Sequence, residues 1–134
     1  MMKLLTITVP SYNSEAYLDR CMATLLPGGD EVEILIVDDG STDRTAEIAD
    51  EYERKYPNIV RAIHKENGGH GDAVTTGIRN ATGLFFKVVD SDDSLAPEAY
   101  KQVLDFLRRI VKKNHELDML ISNFVYDRHD ENGD

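Results

Sequence analysis

Strict alternation of short β-branched runs with amphipathic helical stripes is the feature that most narrows what this chain can become. The run Leu4 to Val9 (LLTITV) is apolar and β-branched and ends at Pro10, the pattern of a buried strand feeding a loop. A helix follows, with Asn13 or Ser14 as its cap and Leu18, Cys21, Met22, Leu25 and Leu26 at helical spacing, until Pro27-Gly28-Gly29-Asp30 breaks the stripe. The unit then repeats. Val32 to Val37 (VEILIV) predicts a second strand, and Thr42 or Asp43 caps a helix whose inner face is Thr45, Ile48, Ala49, Tyr52 and Tyr56. Ile59 to His64 predicts a third strand, and a short helix to about Ala81 leads to a fourth, Leu84 to Val89. The helix from Pro97 to about Lys112 has Pro at its first position and an apolar face of Ala99, Val103, Leu107 and Ile110. Leu117 to Tyr126 predicts a fifth strand.

Parallel neighbours need a crossover connection, so this order implies a mainly parallel sheet with helices on both faces: a doubly wound, Rossmann-like three-layer α/β/α domain. In such sheets ligands lie beyond the carboxyl ends of the strands, near the point where the winding reverses. Three loops qualify: Pro10 to Asn13, Asp38 to Ser41 and Asp90 to Asp93.

A length of 134 residues with 41% apolar and 30% charged content predicts one ordinary globular domain spanning 1–134. The formal charge of -10 argues against a nucleic-acid partner, which needs clustered Lys and Arg. It leaves room for a phosphate ligand if a divalent cation stands between them. Cys21 is the single cysteine, so no internal disulfide can form and a reducing, cytoplasmic compartment is the simplest; its place in an apolar stripe predicts a buried hydrophobe. The apolar N-terminal run is too short for a signal peptide, and no membrane segment is expected. Asp130-Glu131-Asn132-Gly133 contains an Asn-Gly pair suited to a hairpin turn, with no strand after it; the expectation is a truncated chain whose parent continues and whose exposed sheet edge favours self-association.

The strongest chemical signal is Asp90-Ser91-Asp92-Asp93, a carboxylate cluster directly after an apolar strand. Hard oxygen ligands spaced one residue apart suit Mg²⁺ or Mn²⁺, which complete their shells with ligand phosphates and water; Asp and Ser also cap helices, and one begins near Pro97. Asp38-Asp39-Gly40-Ser41 puts an acidic pair after the second strand, able to accept hydrogen bonds from a base edge or a ribose hydroxyl, although a turn and cap would use one of the two. Asn67-Gly68-Gly69-His70-Gly71-Asp72 can bring backbone N–H groups close to a phosphate, with His70 as a diphosphate contact or as an ordinary surface histidine. It is neither a P-loop nor the dinucleotide glycine fingerprint. Ser11 and Ser41 lack a nucleophile-elbow context, and the acidic tail lacks the bidentate Glu of a calcium loop.

Taken together, TITVPSYN (Thr6 to Asn13), ILIVDDGSTD (Ile34 to Asp43) and VVDSDD (Val88 to Asp93) resemble the successive motifs of glycosyltransferase family 2, the inverting enzymes of GT-A fold. The resemblance runs from about Leu4 to Pro97 and rests on the order and spacing of all three motifs. It implies a nucleotide-diphospho-sugar donor, most often a UDP-sugar, with Pro10, Ser11, Tyr12 and Asn13 bordering the nucleoside. Asp39, with Asp38 behind it, is implied at the base. The DXD motif maps onto Asp90, Ser91 and Asp92, the first Asp near the ribose and the last holding Mn²⁺ or Mg²⁺ on the diphosphate. The chain departs from the family where many members carry Arg-Asn: Val74-Thr75 stands there, which leaves His70 or Lys65 to supply a cation near the donor. The resemblance also implies that the general base and the acceptor-binding half lie beyond residue 134, so donor binding without efficient transfer is expected of this chain. A non-catalytic nucleotide or nucleotide-sugar binding module is the main alternative. A phosphoryl-accepting receiver domain would share acidic strand ends but would not need the PSYN loop, and a nucleotidyltransferase would need a Gly-rich basic loop after the first strand.

Overall fold

A computed structural model describes residues 2–113. Four strands form one parallel sheet: β1 (Leu5–Ser11), β2 (Val32–Asp39), β3 (Val60–Lys65) and β4 (Phe85–Val88), in the order β3-β2-β1-β4. Four α-helices connect or follow them, α1 (Leu18–Leu25), α2 (Thr45–Lys55), α3 (His70–Asn80) and α4 (Pro97–Lys113), and a 3-10 helix (Leu26–Glu31) joins α1 to β2. The fifth strand expected at Leu117 to Tyr126, and the turn at Asn132-Gly133, lie outside the described residues.

The sheet has helices on both faces, which is why every residue of β1 and β2 is buried. Leu5, Ile7 and Val9 of β1 and Val32, Ile34 and Ile36 of β2 meet Leu18, Cys21, Met22 and Leu25 of α1, Ala49 of α2, and Tyr100, Leu104 and Leu107 of α4. On the opposite face Leu35, Val37 and Ile63 pack on Ala73 of α3. Close approach there depends on Gly77, where a Cβ would stand 2.4 Å from the Thr8 side chain.

The winding runs β1, β2, β3 in one direction and returns to the other side of β1 for β4. The reversal point is therefore between β1 and β4, and the loops that leave it are the PSYN segment and the acidic segment. Among the described residues no helix is long and apolar enough to cross a membrane.

Several boundaries differ from expectation for identifiable reasons. β1 continues through Pro10 and Ser11, paired in register with Val37 and Asp38. The Thr8 carbonyl accepts from Val89 N at 2.9 Å, so even-numbered residues of β1 aim at β4. Pro10 thus aims where β4 has already turned away, and its missing N–H costs no ladder bond. α1 starts at Leu18 without a side-chain cap. Asn13 and Ser14 are engaged elsewhere, and the Ser14 carbonyl instead accepts from Tyr17 N and Leu18 N, both at 2.9 Å. Asp43, one of the two residues expected to cap α2, accepts from Thr45 N at 2.9 Å. On α4 the inner face is Tyr100, Leu104 and Leu107, flanked by Val103 and Ile110; Ala99 is exposed. Tyr100 displaces it because its hydroxyl reaches the Leu25 carbonyl at 2.7 Å.

Candidate functional site

Beyond Val89 the chain turns back at once, with Asp93 N donating to the Asp90 carbonyl at 2.9 Å. The turn gathers one carboxylate oxygen each from Asp90, Asp92 and Asp93 within 4.8 Å of one another, while Ser91 points inward and is buried. Asp90 Oδ1 is buried and has no hydrogen-bond partner; His70 Nε2 stands 3.7 Å away. Three carboxylates at this spacing repel one another, and an orphaned buried oxygen is costly. A hard divalent cation with oxygen preference resolves both, so these residues fit one. Asp93 was not among the ligands expected from sequence. The turn that brings it round to Asp90 is what adds it.

The acidic turn opens on a cleft of about 320 Å³. Its other walls are Pro10, Tyr12, Asn13 and Ser14 after β1, Tyr17 ahead of α1, and His70 at the start of α3. Ser14 and Tyr17 are additions to the expected set; the helical stripe could have flagged Tyr17, which is large yet off the buried face. A smaller recess of about 90 Å³ adjoins it, lined by Pro10, Ser11, Tyr12, Asp39, His70 and Ala73. Pro10, Tyr12 and His70 border both.

The loop after β1 is stitched to the loop after β2. Asn13 adopts a left-handed backbone (φ 48°), which Asn tolerates better than most residues. Its N–H donates to Ser41 Oγ at 3.0 Å and its Oδ1 accepts from Thr42 N at 2.8 Å.

Asp38 and Asp39 are successive strand residues and so point to opposite faces of the sheet. Asp38 accepts from Ser41 N at 3.0 Å and pairs with His64 Nδ1 at 2.9 Å, while His64 Nε2 reaches Asp50 at 2.7 Å. Asp38 lines neither cavity. The two carboxylates, Asp38 first, raise the His64 pKa above its ordinary value.

Asp39 instead clasps the glycine-rich loop. It accepts from Lys65 Nζ at 2.6 Å, from Gly68 N and Gly69 N at 2.9 Å each, and from Asn67 Nδ2 at 3.3 Å. Burial alone would push its carboxyl up; the Lys65 bond and the two amides outweigh this and hold it below the usual carboxylate range. Gly40 makes the clasp possible, since its φ is +70° and a Cβ there would meet Asn67 N at 2.6 Å. Lys65 is also paired with Asp72, so its charge is spent inside this loop, and of the two expected donor contacts it is His70 that lines the cleft. Cys21 is fully buried, and burial followed by the nearby Asp93, Asp92 and Asp90 pushes its thiol up to about 12. This is the environment of a packed hydrophobe and not of a nucleophilic thiolate.

The family model of glycosyl transferase family 2 matches residues 6–127. The chain belongs to glycosyltransferase family 2. Among curated relatives of this family, the uncharacterised glycosyltransferase EpsJ of Bacillus subtilis is 37% identical over 106 residues, 78% of this chain and 30% of EpsJ. Chondroitin synthase of Escherichia coli is 38% identical over 107 residues, 79% of this chain and 16% of that enzyme. The chain therefore spans less than a third of the length of either. Among solved structures, TarS of S. aureus in complex with UDP-GlcNAc superposes with a TM-score of 0.70 at 30% identity, over 79% of this chain and 31% of that one. A mannosyltransferase of Pyrobaculum calidifontis in complex with GDP-Man and Mn²⁺ also superposes with a TM-score of 0.70 over 80% of this chain and 33% of its own; at 23% identity it speaks for the fold alone. The fold is thus the Rossmann-like α/β arrangement expected from the strand and helix alternation, of the GT-A type that the family resemblance implied.

Proposed function

We propose that this chain is the donor-binding portion of a glycosyltransferase that takes its sugar from a nucleotide-diphospho-sugar, with the acidic turn holding Mn²⁺ or Mg²⁺. The observation that carries the proposal is the buried Asp90 Oδ1, which has no hydrogen bond, within a turn of three clustered carboxylates that opens on a cleft at the reversal point of the sheet. A cation bound there would neutralise charge on the leaving nucleoside diphosphate, a Lewis-acid contribution. Asp92 and Asp90 are its assigned ligands, with Asp93 within reach of the same point.

The remaining assignments follow the two cavities. Pro10, Ser11, Tyr12 and Asn13 wall the nucleoside, and the recess floored by Asp39 takes the base. Asp39 stays ionised, and a base that presents an N–H to it is favoured over one that presents a lone pair. Asp38 acts from behind, by holding the Ser41 turn. His70 faces Asp90 across the cleft and supplies hydrogen bonding to the diphosphate. The family resemblance, together with a similar protein that binds UDP-GlcNAc, favours a UDP-sugar. Transfer proceeds with inversion, and the general base belongs to an acceptor-binding half outside residues 1–134, so this domain by itself binds donor. The acceptor is a carbohydrate or lipid-linked hydroxyl. A cytoplasmic setting accords with the single cysteine, buried in the core.

The experiment is calorimetric titration of UDP into the 134-residue chain with Mn²⁺, then with EDTA, repeated on Asp92→Ala. Saturable binding that needs both the cation and Asp92 is expected. UDP binding that is indifferent to EDTA would remove the metal from the reading. Absence of binding to UDP, GDP and their sugars by a folded chain would end the donor assignment.

A further inference from the structure

The acidic turn leaves its carboxylates free because something else holds its backbone and its one inward side chain. That support comes from α1 and the residues just before it. Ser14 is 3% exposed and Ser91 8% exposed, and their hydroxyls share a hydrogen bond of 2.6 Å. Each hydroxyl has one proton and either can donate in this bond; Ser14 Oγ also lies 3.3 Å from the Tyr12 carbonyl, which can take its proton when Ser91 donates. Ser14 N–H donates in turn to Thr45 Oγ1 at 2.7 Å, and that hydroxyl donates to Asp43 at 2.6 Å. One buried serine thus joins the loops after β1, β2 and β4.

The rest of α1 touches the acidic turn through its backbone. Cys21 Sγ lies 3.7 Å from the Asp90 carbonyl, Arg20 reaches the Asp92 carbonyl at 3.5 Å, and Leu95 N donates to Thr24 Oγ1 at 3.1 Å. None of these contacts consumes a carboxylate oxygen of Asp90, Asp92 or Asp93. The two longer contacts are weak and the Thr24–Leu95 bond holds the chain two residues beyond the turn, which leaves the short, buried Ser14–Ser91 bond as the one made by a side chain of the turn itself. With Ser91 pinned inward, its neighbours Asp90 and Asp92 face the cleft.

We propose that Ser14 is a positioning residue for the cation-binding turn, acting through Ser91, and that Ser91 serves in the motif as the inward anchor. This rests on the metal reading of the preceding subsection. Outer groups that orient metal ligands typically change metal affinity by about 10–100-fold when removed. Here the effect runs through one neutral hydrogen bond, so the lower end applies.

The test uses the 134-residue chain and Mn²⁺ itself as probe, followed by electron paramagnetic resonance, for wild type, Ser14→Ala, Ser91→Ala and the double variant. Uridine affinity, which involves no diphosphate, and the melting temperature are measured on each. Expected are a roughly tenfold weaker Mn²⁺ dissociation constant in each single variant, a double variant no weaker than either, and a loss of Mn²⁺ affinity that clearly exceeds any loss of uridine affinity. Unchanged Mn²⁺ affinity in folded Ser14→Ala overturns the proposal. So does a loss of Mn²⁺ and uridine affinity in equal proportion, which would mark general loosening, and so do additive effects in the double variant. A wild-type chain that binds Mn²⁺ but ignores UDP would end the donor assignment and leave this comparison readable; a wild-type chain that binds no Mn²⁺ would end both.

Discussion

At the scale of single residues, the acidic pair after β2 divides its labour by strand parity. Asp39 faces α3 and the recess, with a carboxylate held by Lys65, the Gly68 and Gly69 amides and, more loosely, Asn67. Asp39→Asn keeps the shape but turns an amide N–H₂ toward donors, so at least one clasp bond is replaced by a repulsive contact. The expected cost is about 1–3 kcal/mol of stability, read from urea denaturation at neutral pH. The sign of the pH dependence follows from a folded pKa below the unfolded one: the contribution is present above the unfolded value and is lost as pH falls through the folded value. The stability lost between about pH 5 and pH 3 should therefore be smaller in Asp39→Asn than in wild type. Equal acid slopes would contradict this account of the clasp.

At the scale of elements, two contacts decide how helices sit on the sheet. α3 approaches β1 across Gly77, and Gly77→Ala would drive a Cβ to 2.4 Å from Thr8. Helix propensity favours the alanine by about 1 kcal/mol, while overpacking costs about 1–3 kcal/mol, so packing wins. A net destabilisation is expected, seen as a lower urea midpoint with an unchanged slope. His64 ties β3 to β2 through Asp38 and to α2 through Asp50. Its raised pKa means that the protonated ring holds both carboxylates. This stabilisation is fully present below the unfolded pKa of about 6.5 and is lost as pH rises through the higher folded value. Denaturation midpoints should decline from pH 6 toward pH 8.5 in wild type and decline less in His64→Gln; parallel curves would show that the bridge contributes nothing.

At the scale of the whole molecule, 25 acidic against 15 basic residues leave a net charge of -10, and three of the acids crowd one turn. A ligand that binds only the folded state stabilises it by mass action, about 2.7 kcal/mol at a hundred times its dissociation constant. Saturating Mn²⁺ should therefore raise the melting temperature of the wild-type chain by several degrees and leave Asp92→Ala almost unmoved, with Na⁺ at equal ionic strength as the control for screening. A shift of equal size in both proteins would point to general screening of the acidic surface.

The alternation of strand and helix, the parallel sheet and the three candidate loops were legible in the sequence because hydrophobic period and chain order specify them locally. So was the fate of Cys21, whose place in an apolar stripe predicts burial. Element ends were less legible. β1 runs on through Pro10 because β4 has already departed, and α4 buries Tyr100 in place of Ala99 because a carbonyl of Leu25 lies within reach of its hydroxyl. The sequence by itself determined which residues carry charge at the carboxyl edge. Only the tertiary structure decided what each one faces: Asp38 toward His64, Asp39 toward the glycine loop, Ser91 inward onto Ser14, and Asp93 round to Asp90. The physical reason is that composition and periodicity are properties of a segment, whereas a side chain's partner depends on sheet order, register and turn geometry, which join residues as far apart as Ser14 and Ser91.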